Sequence, residues 1–183
     1  MSEFVDLYDR NRKFLNRVVD RNTYLFQPGE FMMYVLAILE NEEGKFLVTQ
    51  RALDKKWAAG GWEMPGGGAK SKESSLDAIK REVKEETGLT LTSYQFRGLI
   101  TFISDVCEPE LMCLFTADGF TGSLTACNEG ELKWVDKSIV PSLPTWTGDA
   151  IFLKLLLEDE QRFFTLRLVY EGDELVEHRL EFY

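Results

Sequence analysis

The sequence has very few of the residues that build zinc sites, disulfide frameworks or histidine-based active sites. Among its 183 residues there is one histidine, His178, and there are three cysteines, Cys107, Cys113 and Cys127, which form no CxxC pair. An odd number of cysteines without that spacing indicates neither a zinc site nor a disulfide framework. A serine triad would depend on His178 alone, which we expect to be an ordinary strand residue. Catalytic chemistry is therefore expected from carboxylates.

Long hydrophobic runs and an excess of positive charge are also absent. The longest apolar run, FMMYVLAIL at residues 31–39, is far too short to span a bilayer and is typical of a buried strand. The first residues, MSEFVDLYDR, carry early acids and lack an apolar core, so we expect a cytoplasmic protein without a membrane partner. The net charge of −10 argues against nucleic-acid binding, because phosphate backbones are bound mainly by Lys and Arg. An anionic substrate would need a cation to bridge it to this protein.

The length suits one domain over residues 1–183, with an extension over 1–30 and a core over 31–183. Residues 4–30 are typical of a hairpin, and the C-terminal segment FFTLRLVYEGDELVEHRLEFY of a hairpin that turns at EGD. The stretch WEMPGGG at 62–68 is expected to be a loop, because its glycines free the backbone. Further expectations are strands at 31–40, 45–51, 94–104, 111–118 and 132–135, a helix between a cap at Ser74 or Ser75 and a stop at Gly88, and a helix at about 149–159.

Three glutamates, Glu82, Glu85 and Glu86, lie within little more than one turn of the first predicted helix. Carboxylates about 5 Å apart repel by roughly 3 kcal/mol per pair at an effective dielectric of 20. Glu86 also continues the apolar stripe of this helix, seven residues after Ile79 and three after Val83. One interpretation is a frayed last turn with Glu86 in water. The other is a cluster partly shielded from water, which needs a cation.

The loop and the glutamates together form a longer motif, G-x5-E-x7-R-E-U-x-E-E-x-G-U, where U is aliphatic. With this motif the sequence resembles the Nudix hydrolases. The resemblance implies an α+β fold, an α/β/α sandwich around a mixed sheet, to which the two hairpins are added. It also implies hydrolysis of nucleoside diphosphates linked to another moiety, with Mg²⁺ or Mn²⁺ as cofactor. The motif positions are Gly67, Glu73, Arg81, Glu82, Val83, Glu85, Glu86, Gly88 and Leu89.

The resemblance also assigns roles to individual residues of the motif. Hard divalent cations prefer carboxylate oxygens, which agrees with a metal site on this helix. Arg81 and Glu85 are also i, i+4 neighbours, so an ordinary surface ion pair is the alternative interpretation. The implied roles are metal ligand or base for Glu82, Glu85 and Glu86, orienting partner for Glu73 and Arg81, and an extra metal ligand for the carbonyl of Gly66.

Two residues outside the motif complete the expected phosphate end of the site. Many Nudix enzymes add a carboxylate from a later loop, and NEGELKWV supplies Glu129, five residues before Trp134, as ligand or base. Glu131 is the competing candidate for this role. Arg51 ends the strand FLVTQR and is either a phosphate ligand or an ordinary exposed arginine at a strand end.

The C-terminal half, from about residue 97 to 183, resembles the bacterial 8-oxo-dGTP diphosphatases of MutT/MutX type, on RGLITF, CNEGELKWV and PTWTGDAIFLKLLLED. In related oxidised-purine enzymes a Trp followed by two Asp contacts the base. Trp146 and Asp149 match this pattern, whereas Gly148 stands where the first Asp would be. The alternatives are a core aromatic for Trp146 and a helix cap for Asp149.

The N-terminal part resembles the isopentenyl-diphosphate-isomerase-like Nudix branch, from VDLYDRNRKFLNRVVDR through GKFLVTQR. Isomerase activity is not expected, because those enzymes need a Cys upstream of the motif and no Cys precedes residue 107. The hairpin should pack against the core or against a second subunit, so a homodimer is one possibility. Its basic residues are expected to form a solvated face rather than a phosphate site; they are Arg10, Arg12, Lys13, Arg17 and Arg21.

Together these features predict a metal-dependent pyrophosphohydrolase that acts on a small-molecule nucleotide. The preferred substrate is a nucleoside triphosphate, an oxidised or non-standard purine dNTP, cleaved to monophosphate and pyrophosphate. The alternatives are hydrolysis of a nucleoside diphosphate, ADP-ribose or a nucleotide sugar. A non-catalytic nucleotide sensor is disfavoured, because its motif is usually eroded and the motif of this sequence is intact.

Overall fold

The computed structural model describes residues 2–51, 60–125 and 130–183. No helix in these ranges is long and apolar enough to cross a membrane. The elements, numbered in chain order, are β1 Phe4–Tyr8, β2 Phe14–Asp20, β3 Phe31–Leu39, β4 Lys45–Arg51, β5 Trp62–Glu63, β6 Gly66–Gly68, α1 Ser75–Thr87, β7 Thr90–Ser104, β8 Glu110–Thr121, β9 Gly130–Asp136, α2 Asp149–Leu157, β10 Phe164–Glu171 and β11 Glu174–Phe182, with a short 3-10 helix at Val140–Ser142.

The strands form two sheets. The larger sheet has the order β11-β10-β7-β8-β3-β1-β2, and β6 pairs with β3 beside this path. Strands β3 and β8 are parallel, as are β7 and β10, whereas the other pairs of this sheet are antiparallel. The smaller sheet has the order β5-β4-β9. The expected mixed sheet is therefore confirmed.

The two helices cover opposite faces of the larger sheet. Alternate residues of a strand point to opposite faces, so the buried strand β3 contributes to two separate cores. One core joins Val35 and Ala37 of β3 to Ile79 of α1. The other joins Leu36 of β3 to Phe152 of α2. A fully buried large apolar side chain such as Ile79 or Phe152 contributes about 1.5–3 kcal/mol, and burial of this kind holds the α/β/α sandwich together.

Helix α1 has the ends that its sequence predicts. The Ser74 hydroxyl accepts a hydrogen bond from the Asp77 backbone N–H at 3.1 Å. At the other end, Gly88 has φ = 80°, and its N–H donates to the carbonyl of Lys84 at 3.1 Å. Glycine is favoured there because a side chain is disfavoured in the left-handed region. These caps fix the helical register of the three glutamates.

Both terminal hairpins are present. Strands β1 and β2 pair antiparallel, and Leu7 of β1 lies opposite Met32, so the N-terminal hairpin extends the large sheet at one edge. Strands β10 and β11 form the opposite edge and turn at Gly172, which has φ = 58°. The packing of the N-terminal hairpin against the core agrees with one of the two sequence expectations.

The segment at residues 62–68 is not the loop that the sequence suggests. Trp62 and Glu63 pair with β4, while Gly66–Gly68 pairs antiparallel with residues 34–36 of β3. A Cβ at Gly66 would lie 2.2 Å from the carbonyl oxygen of Val35, so only glycine allows this close pairing. Glycines have no side-chain alternation, which is why the pattern gave no sign of a strand.

Candidate active site

Strand β6 and helix α1 bring the glutamates against the glycine-rich backbone. The N–H of Gly66 donates to Oε2 of Glu86 at 3.0 Å. The carboxyl of Glu82 lies against Gly67, where an added Cβ would be 2.5 Å from its Cδ. Glu86 is therefore not in a frayed turn in water, because its carboxylate is fastened to the adjacent strand. The carbonyl of Gly66 remains an expected metal ligand.

Arg81 connects the acidic residues of this site to one another. Its guanidinium donates to Glu73 at 2.7 and 2.8 Å and to Glu82 at 2.7 Å. It also reaches Glu85 at 3.3 Å and the carbonyl of Gly68 at 3.1 Å. The pair with Glu85 is thus the longest of its carboxylate contacts, so Arg81 is more than one half of a surface ion pair, and its orienting role stays a prediction. Hydrogen bonding to Arg81 lowers the pKa of Glu73.

Two of the glutamates of α1, Glu82 and Glu85, differ in their exposure to water. The side chain of Glu82 is 13% exposed, whereas that of Glu85 is 57% exposed. Burial raises the pKa of Glu82, and the hydrogen bond and charge of Arg81 oppose that rise. Glu82 is the residue of this pair that water screens least, which suits a group that exchanges a proton or binds a cation.

The donor chemistry of this site fits a hard divalent cation, because Glu82, Glu85 and Glu86 offer carboxylate oxygens next to a glycine backbone. Within residues 2–51, 60–125 and 130–183, no three acidic, His or Cys side chains are already grouped closely enough to hold a metal ion. Glu129, the carboxylate expected from the later loop, lies outside the described residues. Its competitor Glu131 is exposed on β9 and pairs with Lys133 at 3.2 Å.

A cavity of about 450 Å³ opens on the face of the sheet that carries α2. Its apolar wall belongs to the α2 core and includes Phe102, Met112 and Trp146. The rings of Phe102 and Trp146 pack edge to face with centroids 5.5 Å apart. Flat apolar surfaces of this kind suit an aromatic base. Trp146 therefore lines a pocket as well as packing on the core.

Asp149 lies in the same pocket as Trp146, as the pattern predicts. The alternative of a helix cap is wrong, because Gly148 takes the cap position and Asp149 is the first residue of α2. Burial raises the pKa of Asp149 to about 7, a hydrogen bond with the Trp146 backbone lowers it, and the charge of Glu63 raises it. A Cβ at Gly148 would lie 2.6 Å from Leu168, so the fold leaves no room for a second Asp there.

Arg51 faces this pocket but is held by another pocket residue. Its guanidinium donates to both carboxylate oxygens of Glu63, at 2.9 and 3.0 Å. Arg51, Glu63, Trp146 and Asp149 line both the first cavity and an adjacent one of about 600 Å³. The contact with a phosphate expected for Arg51 would therefore compete with this ion pair.

Sequence reasoning missed Glu63, Glu110 and Arg21 as pocket residues. Arg21 was expected on a solvated face, and this is wrong: its side chain is 21% exposed and lies 2.8 Å from the position of a Cβ on Gly68. The other basic residues of the hairpin are exposed as expected. Glu110 carries one available signal, because it takes an apolar position in the alternation of ELMCLF on β8.

Comparisons with known proteins identify the family. The NUDIX domain model matches residues 30–156. An uncharacterized Nudix hydrolase of Bacillus subtilis is 32% identical over 127 residues, which cover 67% of this chain and 80% of the relative. An oxidized purine nucleoside triphosphate hydrolase of Danio rerio is 30% identical over 146 residues, 79% of this chain and 91% of the relative. The crystal structure of a MutT protein from Bacillus halodurans superposes with a TM-score of 0.73 at 27% identity, over 82% of this chain and 98% of that one. The chain belongs to the Nudix hydrolase family.

Proposed function

We propose that this protein is a cytoplasmic, metal-dependent pyrophosphohydrolase that cleaves nucleoside triphosphates to monophosphate and pyrophosphate. Its preferred substrate is an oxidised or otherwise non-standard purine dNTP. One observation carries the proposal: strand β6 is in contact with a glutamate of α1 on one face and with a residue of the pocket lining on the other. Gly67 contacts Glu82 on one face of β6, and Gly68 contacts Arg21 of the pocket wall on the other.

This arrangement matches the two ends of a nucleotide. The pocket with Trp146 and Phe102 receives the base, and the phosphate chain passes β6 toward Glu82 and Glu86. The similarity to an oxidized purine nucleoside triphosphate hydrolase supports a triphosphate of this kind. A nucleotide rather than a nucleic acid is the expected partner, because the protein carries a net charge of −10.

The residues that would hold Mg²⁺ or Mn²⁺ are Glu82, Glu85 and Glu86, with the carbonyl of Gly66 and with Glu129. When bound, the cation supplies positive charge that neutralises the phosphate oxygens. Glu82 or Glu129 holds the proton that the attacking water loses, and Arg81 keeps Glu82 and Glu73 in place. The protein thus contributes positioning and electrostatic stabilisation, which is what phosphoryl transfer requires.

The base end contributes a different kind of selectivity. Trp146 and Phe102 offer apolar faces, while the carboxyl of Asp149 offers a hydrogen-bonding group inside the pocket. With a pKa of about 7, Asp149 can donate as an acid or accept as a carboxylate near neutral pH. Such a group distinguishes bases by the position of their N–H and C=O groups.

A second candidate function is hydrolysis of a nucleoside diphosphate, of ADP-ribose or of a nucleotide sugar. The adjacent cavity of about 600 Å³, which shares four residues with the base pocket, favours it. That cavity gives room for a second moiety beyond the base. The two functions predict different products from the same chemistry.

A substrate panel tests the proposal. Wild-type protein is incubated with 8-oxo-dGTP, dGTP, the other nucleoside triphosphates, CDP, UDP and ADP-ribose, each with Mg²⁺ and with EDTA, and the products are separated by chromatography. The proposal expects Mg²⁺-dependent release of monophosphate and pyrophosphate, with 8-oxo-dGTP cleaved most efficiently. Preference for a diphosphate or ADP-ribose would replace it with the second candidate, and no cleavage of any compound would overturn both.

A further inference from the structure

Glu110 begins strand β8 and points into the base pocket. It lies directly across from Phe102 on β7 and beside Met32 on β3. Alternation along β8 places Glu110 on the same face as Met112 and Leu114, and this face belongs to the α2 core. Phe102 thus neighbours both Glu110, across the strand pair, and Trp146, through its ring, and all three residues line the same pocket.

Among the described residues, the carboxyl of Glu110 differs from the other acids of the pocket in having no hydrogen-bond or ion-pair partner within bonding distance. Glu63 is bound by Arg51, Asp149 by the Trp146 backbone, and Glu108 lies 4.0 Å from Arg21. In the described parts of the chain, no hydrogen bond or ion pair joins the Glu110 carboxyl to another residue. Glu110 is half-buried in the pocket, so a ligand that displaces water from this carboxyl has to supply the hydrogen-bonding partner in its place.

The residues around Glu110 leave its carboxyl available to a ligand. Burial raises its pKa to about 8, the charge of Arg21 lowers it, and the charge of Glu108 raises it. Arg21 itself is drawn toward Glu3, at 3.3 Å, and toward Glu108. Its guanidinium is therefore shared among carboxylates and does not neutralise Glu110 by direct contact.

We propose that Glu110 is a specificity-determining residue, whose carboxyl hydrogen-bonds the polar edge of a purine-like base held against Phe102 and Trp146. The proposal rests on the function given above and deepens it. A carboxylate accepts hydrogen bonds from ring N–H and exocyclic amino groups, and a carboxylic acid donates to a carbonyl or ring nitrogen. Together with Asp149 it gives the pocket two hydrogen-bonding groups on different elements, β8 and α2. The base is thus read at two separate points.

The test compares Glu110→Gln, Glu110→Leu and the wild type by steady-state kinetics on 8-oxo-dGTP and dGTP. These substrates differ in the hydrogen-bonding edge of the base and share one phosphate chain. In Glu110→Leu we expect KM for the preferred substrate to rise about 10- to 100-fold while kcat stays within a few-fold, because a base N–H or C=O loses its partner. The ratio of kcat/KM between the two substrates should fall accordingly. Glu110→Gln keeps one donor and one acceptor and should change this ratio less than Glu110→Leu.

The controls separate the possible failures. Glu158→Gln, at an exposed glutamate after α2, should leave all values unchanged. The wild type is expected to cleave both nucleotides. If it does, and the ratio of kcat/KM between the two substrates is unchanged in both Glu110 variants, the role of Glu110 is overturned and the proposed function stands. If the wild type cleaves no nucleotide, the proposed function fails and the role of Glu110 falls with it. Thermal unfolding of each variant confirms that folded protein is compared.

Discussion

The carboxyl group of Glu82 fills the space that a side chain at Gly67 would need, with Cδ of Glu82 only 2.5 Å from an ideal Cβ. Gly67 and Glu82 of the motif therefore pack directly against each other, although they are 15 residues apart in the sequence. This contact sets where the Glu82 carboxylate points.

Gly67→Ala should displace the Glu82 carboxylate and leave the fold intact, because the obstructing atoms belong to the end of a flexible side chain. Misplacement of a catalytic group by about 1 Å costs on the order of 100-fold in rate, and we expect turnover to fall on that scale. Steady-state kinetics measures the rate, and circular dichroism with thermal unfolding checks the fold. Wild-type turnover in a folded Gly67→Ala protein would contradict the importance of this contact.

Arg81→Lys should lower both activity and stability, although the charge is retained. The planar guanidinium binds Glu73, Glu82 and the Gly68 carbonyl at once, and a lysine ammonium cannot reproduce that fork. We expect the free energy of unfolding in urea to fall by about 1–3 kcal/mol and turnover to fall by about 10-fold or more. The matched control is Arg179→Lys, at an exposed pair with Glu181 that has a single hydrogen bond, which should change neither quantity. Equal behaviour of the two variants would argue against an orienting role for Arg81.

Asp6 of the N-terminal hairpin holds the turn that precedes α1. Its carboxylate accepts from the Ser71 hydroxyl at 2.6 Å and from the Lys72 N–H at 3.1 Å, and Lys72 has φ = 70°. Asp6→Ala should lower the free energy of unfolding by about 1–3 kcal/mol, because a strained turn loses two charge-assisted hydrogen bonds. Urea denaturation measures this. Asp118→Ala, which removes one exposed bond to Ser93, is the control and should have a smaller effect.

Two pocket carboxyls should make stability depend on pH. Burial raises the pKa of Glu110 from 4.5 to about 8 and that of Asp149 from 3.8 to about 7. Because both pKa values are higher in the folded state than in the unfolded state, these groups favour the folded state at low pH. That contribution to the free energy of unfolding is lost as pH rises through the folded-state values. The double variant Glu110→Gln with Asp149→Asn cannot ionise at either position. Its free energy of unfolding relative to wild type should therefore increase between about pH 5 and pH 8. If urea denaturation gives the same difference in free energy of unfolding between the double variant and wild type at both pH values, the raised pKa values are contradicted.

Helix α1 and its glutamates could be predicted from sequence because their causes are local. The apolar stripe of Ile79 and Val83, the Ser74 cap and the Gly88 stop all act within one segment, and the motif spacing is a property of that segment. Strand β6 could not be predicted in this way. Its pairing with β3 depends on the absence of side chains at Gly66–Gly68, and an absence leaves no periodic pattern.

The base pocket shows the other limit of prediction from sequence. Arg21, Gly68 and Glu110 lie far apart in the chain, and only the order of the strands brings the hairpin, β6 and β8 together. The resemblance singled out Trp146 and Asp149, and both line the cavity, whereas their contact with a base stays a prediction. For Arg21 no such pattern was available. In the sequence alone, a partly buried arginine flanked by acidic residues cannot be distinguished from an exposed one, because its burial depends on the strand pairing.

We propose that the glutamates of α1 carry out hydrolysis of a phosphoric anhydride. The most direct test of this proposal is the Mg²⁺-dependent turnover of 8-oxo-dGTP by Glu82→Gln and Glu86→Gln, beside Glu158→Gln as an exposed control. Each substitution keeps the shape of the side chain and removes the charge that binds a cation or takes a proton. We expect a loss of at least about 100-fold in both site variants and wild-type turnover in the control. Wild-type rates in both site variants would contradict it.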